Sequence, residues 1–312
     1  MGFEMSEIEL RLSDKDPPAL DEHKTIYRDV LNLPDPVKLG LTIRYFNNSA
    51  LTLYFRIEGT GTGYTFTPVN MGSLASGLNA YYNLDQFGSR AKPAAGAFTQ
   101  GELEEKVTLT LKAYTDAGYS VLYDTFSRDV TLNWIKSDDP AFTEDFLNNF
   151  DDGTVQGWVA MSEVGNDGGY PTLAAAADFF LSAPDSLKMT SRRDPSTGEL
   201  RSRLYKSFAT PNKTKVYAIV DVRWNRYSTN TNPKNLTEQI DSAVLLFIGR
   251  PYNGVNADYY PMAKWMRFVV PLPANTTVEI RIVPDCYINY TVGIDPFQDS
   301  YFWIDDFKII SK

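Results

Sequence analysis

Three pairs of adjacent carboxylates are the groups in this sequence best suited to acid and base chemistry. The pairs are Asp138–Asp139, Asp151–Asp152 and Asp305–Asp306. Glycoside hydrolysis needs two carboxyl groups about 5–9.5 Å apart across a sugar-sized cleft, one of them with a raised pKa. Neighbours on a β-strand point to opposite faces of the sheet, so adjacent acids do not form such a pair. The sequence therefore favours a protein that is not an enzyme, with a glycoside hydrolase or lyase as the least favoured alternative.

The counts of cysteine and histidine exclude several other kinds of active site. The chain has one cysteine, Cys286, and one histidine, His23. An intrachain disulfide, a Cys-rich zinc site and a Cys–His dyad are therefore excluded. A Ser–His–Asp triad would have to use His23, which lies in a polar stretch and is interpreted as an exposed loop residue.

Aromatic residues that can stack on sugar rings cluster between residues 223 and 265. Sugar sites combine the flat face of Trp or Tyr with Asn, Asp, Gln or Arg side chains that hold hydroxyl groups. The candidate ligand-binding residues are Trp224, Tyr227, Tyr252, Asn253, Tyr259, Tyr260 and Trp265. The alternative is that Trp224 and Trp265 pack in the core or at a sheet edge. Trp158 and Trp303 are expected in the core.

The elements that must position these groups are β-strands. Apolar and polar residues alternate through much of the chain, as in residues 51–57, 107–112 and 130–134. Such alternation predicts half-buried antiparallel strands. The glycine-rich residues 59–63 predict a turn, and residues 142–149 predict a short turn of helix.

A charged segment that ends in proline, residues 136–140, divides this pattern into two domains. About seven strands without a disulfide precede it, which is typical of an immunoglobulin-like or fibronectin-type-III-like sandwich. Eight antiparallel strands follow it, which fits a jelly roll. The sequence predicts an all-β protein of two tandem β-sandwiches: an immunoglobulin-like sandwich over residues 1–138 and a jelly roll over residues 139–312.

Four segments of the second half carry a family resemblance. They are FDDGTVQGW at residues 150–158, APDSLKMTS at 183–191, the strand pair at 204–224 and FWIDDFKI at 302–309. Their order and spacing resemble the galactose-binding-like jelly roll of many carbohydrate-binding modules. In the first half, AYTDAGYS at residues 113–120 resembles late strands of immunoglobulin-like domains on archaeal surface and viral proteins. The resemblance implies a fold and not an activity, because the same sandwich serves sugar binding, protein contact and spacing.

The resemblance also implies a structural calcium ion that ties the opening turn to the closing strand. Calcium takes six to eight hard oxygen ligands, which Asp151, Asp152 and either Asp305 or Asp306 can help to supply. Strict alternation places Asp305 beside Trp303 on an apolar face, which a carboxylate tolerates when it is paired or bound to a metal. A β-bulge would bring in Asp306 instead. The alternative is an exposed acidic turn and an aspartate that caps the sheet edge.

Charge and hydropathy exclude two classes of partner. With 30 Lys and Arg against 39 Asp and Glu, the net charge is −9, and no basic block is present. Such a chain is a poor candidate for nucleic-acid binding. No apolar run of about 18 residues occurs, so no membrane insertion by a helix is expected. The polar N-terminus also lacks the basic and apolar regions of a signal peptide.

These observations predict a non-enzymatic surface or virion structural protein of the spike, turret or fibre type, with a glycan-binding jelly roll. Its expected partners are a glycan or cell-surface ligand and further copies of itself in a homo-oligomer or particle. It would lie on a virion or at the extracellular surface. The alternative is a secreted polysaccharide-binding accessory module of a carbohydrate-active system.

Overall fold

The computed structural model shows a chain built from β-strands. It describes residues 3–12, 19–20, 25–31, 33, 35–162, 171–192, 199–200, 202–225, 237–240, 243–249, 265–287 and 299–312. Within these ranges the only helical element is a short 3-10 turn at Ala95–Ala97. The chain divides into two compact units, Met1–Asp138 and Asp139–Lys312.

The first unit is a sandwich of two five-stranded sheets, β2–β1–β4–β8–β6 and β3–β10–β9–β5–β7, among the residues described. Its strands are β1 Phe3–Leu12, β2 Ala19–Leu20, β3 Thr25–Asp29, β4 Val37–Asn47, β5 Leu53–Thr60, β6 Tyr64–Phe66, β7 Val69–Leu74, β8 Asn79–Arg90, β9 Glu102–Tyr114 and β10 Leu122–Ile135. The run β1–β4–β8–β6 opposite β5–β9–β10 follows the A–B–E–D and C–F–G orders of immunoglobulin-like sandwiches. This order supports the immunoglobulin-like assignment, which stays a prediction.

The core of the first unit follows the alternation in the sequence. Leu53, Phe55 and Ile57 are buried, and they lie in one cluster with the buried Val107 and Leu109 of the neighbouring strand β9. Of the turn predicted at residues 59–63, residues 62 and 63 form a turn, whereas Gly59 and Thr60 end strand β5. One pairing departs from the expected antiparallel pattern, because β3 runs parallel to β10.

The second unit is a sandwich of two six-stranded sheets in its described part. The front sheet has the order β13–β14–β22–β17–β20 with β11 beside β22, and the back sheet has the order β12–β16–β21–β19–β18 with β15 beside β21. The strands are β11 Thr143–Asn148, β12 Val159–Ser162, β13 Thr172–Ala176, β14 Ser186–Arg192, β15 Glu199–Leu200, β16 Ser202–Ala209, β17 Val216–Asn225, β18 Thr237–Ile240, β19 Ala243–Gly249, β20 Met266–Leu272, β21 Thr277–Tyr287 and β22 Asp299–Ser311. Here β19 and β21 are parallel, again unlike the expected antiparallel pattern.

The two sheets of the second unit bury one shared core. Leu187 and Ile304 of the front sheet belong to the same buried cluster as Leu204 and Ile280 of the back sheet. Trp158 lies in this cluster, as predicted, and packs edge-on against Phe307 at 5.1 Å between ring centroids. The predicted all-β fold of tandem sandwiches is therefore confirmed.

The short helix predicted at residues 142–149 is wrong, because this segment forms strand β11. It pairs with the end of β22, from Thr143 opposite Ser311 to Asn148 opposite Phe307. Phe146 packs against the Phe208 ring with 4.9 Å between centroids. Burial of this ring at the sandwich edge outweighs the weak local preference for helix.

The described residues include no helix of the length and apolar character that a membrane span requires.

Candidate functional site

A β-bulge in β22 decides which of its side chains face away from the core. Asp306 has a left-handed backbone, with φ of 46°, and the pairing between β17 and β22 shifts between Ile219 and Asp221. Phe307 and Ile309, which follow the bulge, lie in the core, whereas Trp303, which precedes it, lies outside the core cluster. The expectation of strict alternation is therefore wrong, and the bulge alternative is the arrangement observed.

The outer face of the front sheet, the side turned away from the core, carries a row of cationic and aromatic side chains. Lys188 of β14 stands opposite Trp303 of β22, and Arg223 of β17 stands opposite the same tryptophan on the other side. Their sequence neighbours Leu187, Val222, Phe302 and Ile304 all point into the core. Because successive side chains alternate across a sheet, Lys188, Trp303 and Arg223 share the outer face.

Trp303 forms the floor of this row. The sequence predicts Trp303 in the core; it is 0% exposed, but it lies on the other side of the sheet from the core cluster. Phe179 packs edge-on against it, with 5.1 Å between ring centroids. The indole Nε1–H donates to Asp178 Oδ1 at 3.0 Å. The indole is thus fixed in position and cannot itself stack on a ligand.

The two cations of the row are held in different ways. Lys188 Nζ lies 2.5 Å from Asp178 Oδ2 and 4.6 Å from the centroid of the Tyr301 ring. The guanidinium of Arg223 lies over the Phe179 ring, with its Cζ 3.9 Å from the centroid. Its Nε–H is buried and has no hydrogen-bond partner. Burial lowers the pKa of Arg223, and the charge of Asp178 acts in the opposite direction.

Asp178 is the carboxylate that the two cations share. Burial alone would raise the pKa of Asp178, but hydrogen bonds from Lys188 and from the Trp303 indole outweigh it, so the pKa lies below its usual value. Further along the same face, Asp221 and Arg267 form their own pair, with two Nε–O distances of 3.0 Å. Asp221 is thus paired with Arg267 and Asp178 with Lys188, whereas Arg223 has no ion pair among the described residues.

Asp305 anchors the front loop, residues 177–185, over this face. Its Oδ2 accepts the backbone N–H of Leu181 at 2.7 Å and that of Ser182 at 3.0 Å. Its Oδ1 accepts the N–H of Asp306 at 2.8 Å. Burial raises the pKa of Asp305, and the N–H groups of Ser182 and Leu181 offset part of that rise. The loop is therefore attached to the sheet through a fully buried carboxylate.

The residues predicted to bind calcium lie in two settings. Asp152 caps its own turn by accepting the N–H of Thr154 at 2.9 Å, while Asp151 Oδ1 is buried without a hydrogen-bond partner. N–H groups already approach both oxygens of Asp305, which gives this carboxylate a role that needs no cation. Within the described ranges, no group of three or more His, Cys, Asp or Glu side chains is placed to hold a metal ion. The calcium site stays a prediction.

The structure describes two of the seven predicted ligand-binding residues. The pairing of Val222 with Met266 puts Trp265 at the next register position, beside Arg223, and its side chain is partly buried. Trp224 lies in β17 opposite Phe302. The remaining candidates lie outside the described residues: Tyr227, Tyr252, Asn253, Tyr259 and Tyr260.

Sequence reasoning did not select Lys188, Tyr301, Asp178 or Phe179 as site residues, and it included Arg223 only as part of the aromatic region that begins at residue 223. The signal that was available is alternation within β14 and β22, where Lys188 and Trp303 each stand between two apolar residues. That pattern places each of them on the face opposite the core, but it does not indicate that the two are neighbours.

Comparison with known proteins gives matches among solved structures alone: no protein-family model and no curated protein matches the chain. The K1 cleaved adhesin domain of Lys-gingipain from Porphyromonas gingivalis W83 is similar over 54% of this chain and 98% of its own, at 15% identity and a TM-score of 0.30.

Two further similar structures come from Xyn10C of Paenibacillus barcinonensis. Its CBM22-1 xylan-binding domain matches 54% of this chain and 94% of its own, at 14% identity and a TM-score of 0.29. Its CBM22-1–CBM22-2 tandem domain matches 100% of this chain and 94% of its own, at 10% identity and a TM-score of 0.33. These values do not establish a family for the chain.

Proposed function

We propose that the second unit binds a polysaccharide on the outer face of its front sheet. The observation that carries the proposal is the row of Lys188, Trp303 and Arg223 on three adjacent strands, with Trp265 at the next register position. This function is the alternative that the sequence predicted, a polysaccharide-binding module. We also propose that the protein acts at the extracellular surface.

The chemistry of the row suits a sugar chain. Trp265 supplies an indole that can stack on the apolar face of a sugar ring, and Arg223 and Lys188 supply donors for its hydroxyl groups. Trp303 and Phe179 support these groups from below and from the side, so the donors are held in place before a ligand arrives. Such preorganisation reduces the entropy lost on binding. We propose that these residues bind the ligand and do not catalyse a reaction.

Affinity electrophoresis of the full chain in gels that contain xylan, β-glucan or pectin tests this function. We expect retardation by at least one polysaccharide and its loss in Trp265→Ala. Tyr123→Ala is the matched control, because it removes a half-exposed aromatic residue from the first unit. Migration unaffected by every polysaccharide would overturn the proposal.

One observation favours a second candidate function, the particle or surface protein that associates with its own copies. Five apolar side chains at one end of the first unit are each between 40% and 56% exposed, namely Leu51, Leu78, Val121, Leu122 and Tyr123. The Asn47 side-chain amide holds this end together by donating to the carbonyls of Leu51 and Leu74, at 2.8 and 2.7 Å. Exposed apolar groups on an ordered end are typical of protein contacts.

The oligomeric state tests this second candidate. We expect the full chain to associate in sedimentation experiments as its concentration rises, and Leu122→Asp to remove the association. Leu147→Asp changes an equally accessible leucine of the second unit and is the control. A monomer at every concentration would exclude the candidate.

A further inference from the structure

Arg223 is a cation of the outer face that has no ion pair among the described residues. Asp178 makes its ion pair with Lys188, at 2.5 Å. Asp221 is occupied by Arg267, which approaches it through Nε at 3.0 Å. In the described part of the chain, no carboxylate forms an ion pair with Arg223. This guanidinium is therefore the unmatched cation of the face.

The surroundings of Arg223 make that mismatch costly for the free protein. One side of the guanidinium is covered by the Phe179 ring, and its Nε–H is buried without an acceptor. A buried donor that lacks an acceptor loses its hydrogen bonds to water and gains nothing in return. Arg223 as a whole is only partly buried, so an incoming anion could pair with the part of its guanidinium that stays accessible.

The shape of the group selects among acceptors. A guanidinium presents its donors in a planar fork that matches the two oxygens of a carboxylate or sulfate, whereas a sugar hydroxyl offers a single oxygen. The register position beside this fork carries Trp265, so an anion at Arg223 would belong to a molecule that also contacts this indole. A free inorganic anion would use the fork but leave Trp265 without a partner.

We propose that the polysaccharide bound by this face contains acidic sugars, and that Arg223 pairs with their carboxylate or sulfate groups. This inference rests on the proposed polysaccharide binding and deepens it by naming the ligand class. Lys188 lies further along the row, where its ion pair with Asp178 and its contact with the Trp303 ring hold it in place.

Isothermal titration of the full chain with four polysaccharides tests the inference. Polygalacturonate carries carboxylates, dextran sulfate carries sulfates, and unsubstituted xylan and fully methyl-esterified pectin carry neither. We expect the acidic polymers to bind about tenfold or more tightly than the neutral ones, with a preference that weakens as salt increases. The two acidic polymers distinguish carboxylate from sulfate as the preferred group.

Variants of Arg223 connect that preference to the site. Arg223→Gln is expected to weaken polygalacturonate binding by about tenfold or more, and Arg223→Lys to restore only part of it, because lysine lacks the planar fork. Arg281→Gln changes an arginine of the back sheet that pairs with Glu279 and is the matched control. Circular dichroism of each variant separates loss of binding from loss of fold.

The outcomes distinguish failure of the inference from failure of the proposed function. Equal binding of acidic and neutral polymers, unchanged in Arg223→Gln, would overturn the acidic-sugar inference and leave polysaccharide binding intact. Binding to none of the four would overturn the acidic-sugar inference, and it would overturn polysaccharide binding as well if β-glucan also fails to retard the chain. Acidic preference that persists in a folded Arg223→Gln protein would also overturn the role of this residue.

Discussion

The guanidinium of Arg223 lies over the ring of Phe179, with 3.9 Å from its Cζ to the ring centroid. This contact joins the front loop to strand β17, while the other side of the same loop is joined to β22 by Asp305. The loop and the sheet therefore hold the guanidinium between them. A change in either one should alter the position of Arg223 on the binding face.

Replacement of Phe179 by alanine should release the Arg223 side chain. The change removes a cation–π contact and the edge-on contact with Trp303, and we expect it to lower the free energy of unfolding of the second unit by about 2 kcal/mol. Polysaccharide binding should weaken as well. Urea unfolding and affinity electrophoresis measure the two effects. Phe180→Ala, a neighbouring exposed phenylalanine, is the control, and equal effects of the two variants would contradict the account.

Replacement of Asp305 by asparagine should detach the front loop. In the native chain, backbone N–H groups donate to both carboxylate oxygens of Asp305. The asparagine side chain replaces one of these oxygens with an NH₂ group, so two donors would meet at a fully buried site. We expect a loss of about 2 kcal/mol in unfolding free energy and faster proteolysis at residues 177–185. Asp145→Asn, at an exposed position, is the control. Unchanged proteolysis of the loop would show that Asp305 does not anchor it.

The lowered pKa of Asp178 predicts how stability depends on pH. The unfolded chain binds this proton more tightly than the folded chain, so the stabilisation is complete above the unfolded pKa of about 3.9 and is lost as pH falls through the lower folded value. We expect the stability difference between the native chain and Asp178→Asn to shrink as pH falls from about 6 to about 3. Urea unfolding at each pH measures it. A difference that keeps its size throughout would contradict the ion pair with Lys188.

A separate, partly buried acid, Glu105, is expected to stabilise the first unit. Glu105 Oε2 accepts the Tyr64 hydroxyl at 2.5 Å and the Trp134 indole N–H at 2.8 Å, and Glu105 Oε1 pairs with Arg90. Burial and the Glu105 carboxylate raise the pKa of Tyr64 above its usual value.

Glu105→Gln should therefore cost about 2 kcal/mol of unfolding free energy, because Arg90 loses its charged partner. Near-ultraviolet circular dichroism of the tryptophan and tyrosine bands follows this loss during urea unfolding. Glu104→Gln, one residue away and exposed, is the control. A Glu105→Gln protein as stable as that control would contradict the network.

The strands were predictable from the sequence, because alternation is a local signal that burial enforces residue by residue. Leu53, Phe55 and Ile57 show this, since all three lie in the core as their spacing predicts. The strand at residues 143–148 was missed, because its stability comes from pairing with β22 at the far end of the chain.

The candidate site could be predicted only in part. Lys188, Arg223 and Trp303 become neighbours through strand pairing over long sequence separations, and register of that kind leaves no local signal. The bulge at Asp306 was foreseen as an alternative, but its presence depends on the partner strand β17. Trp265 was selected from its residue type alone, and its register position beside Arg223 emerges from the fold.

The most direct test of polysaccharide binding on the outer face is the response of the indole N–H signals in a ¹⁵N-labelled protein. The chain has five tryptophans, so single Trp→Phe variants assign every signal. On titration with galacturonic acid oligomers or xylo-oligomers, we expect saturable shifts of the Trp265 and Trp303 signals, with those of Trp134 and Trp158 unchanged. Unchanged Trp265 and Trp303 signals during a titration that shifts another tryptophan, or that shifts none, would contradict it.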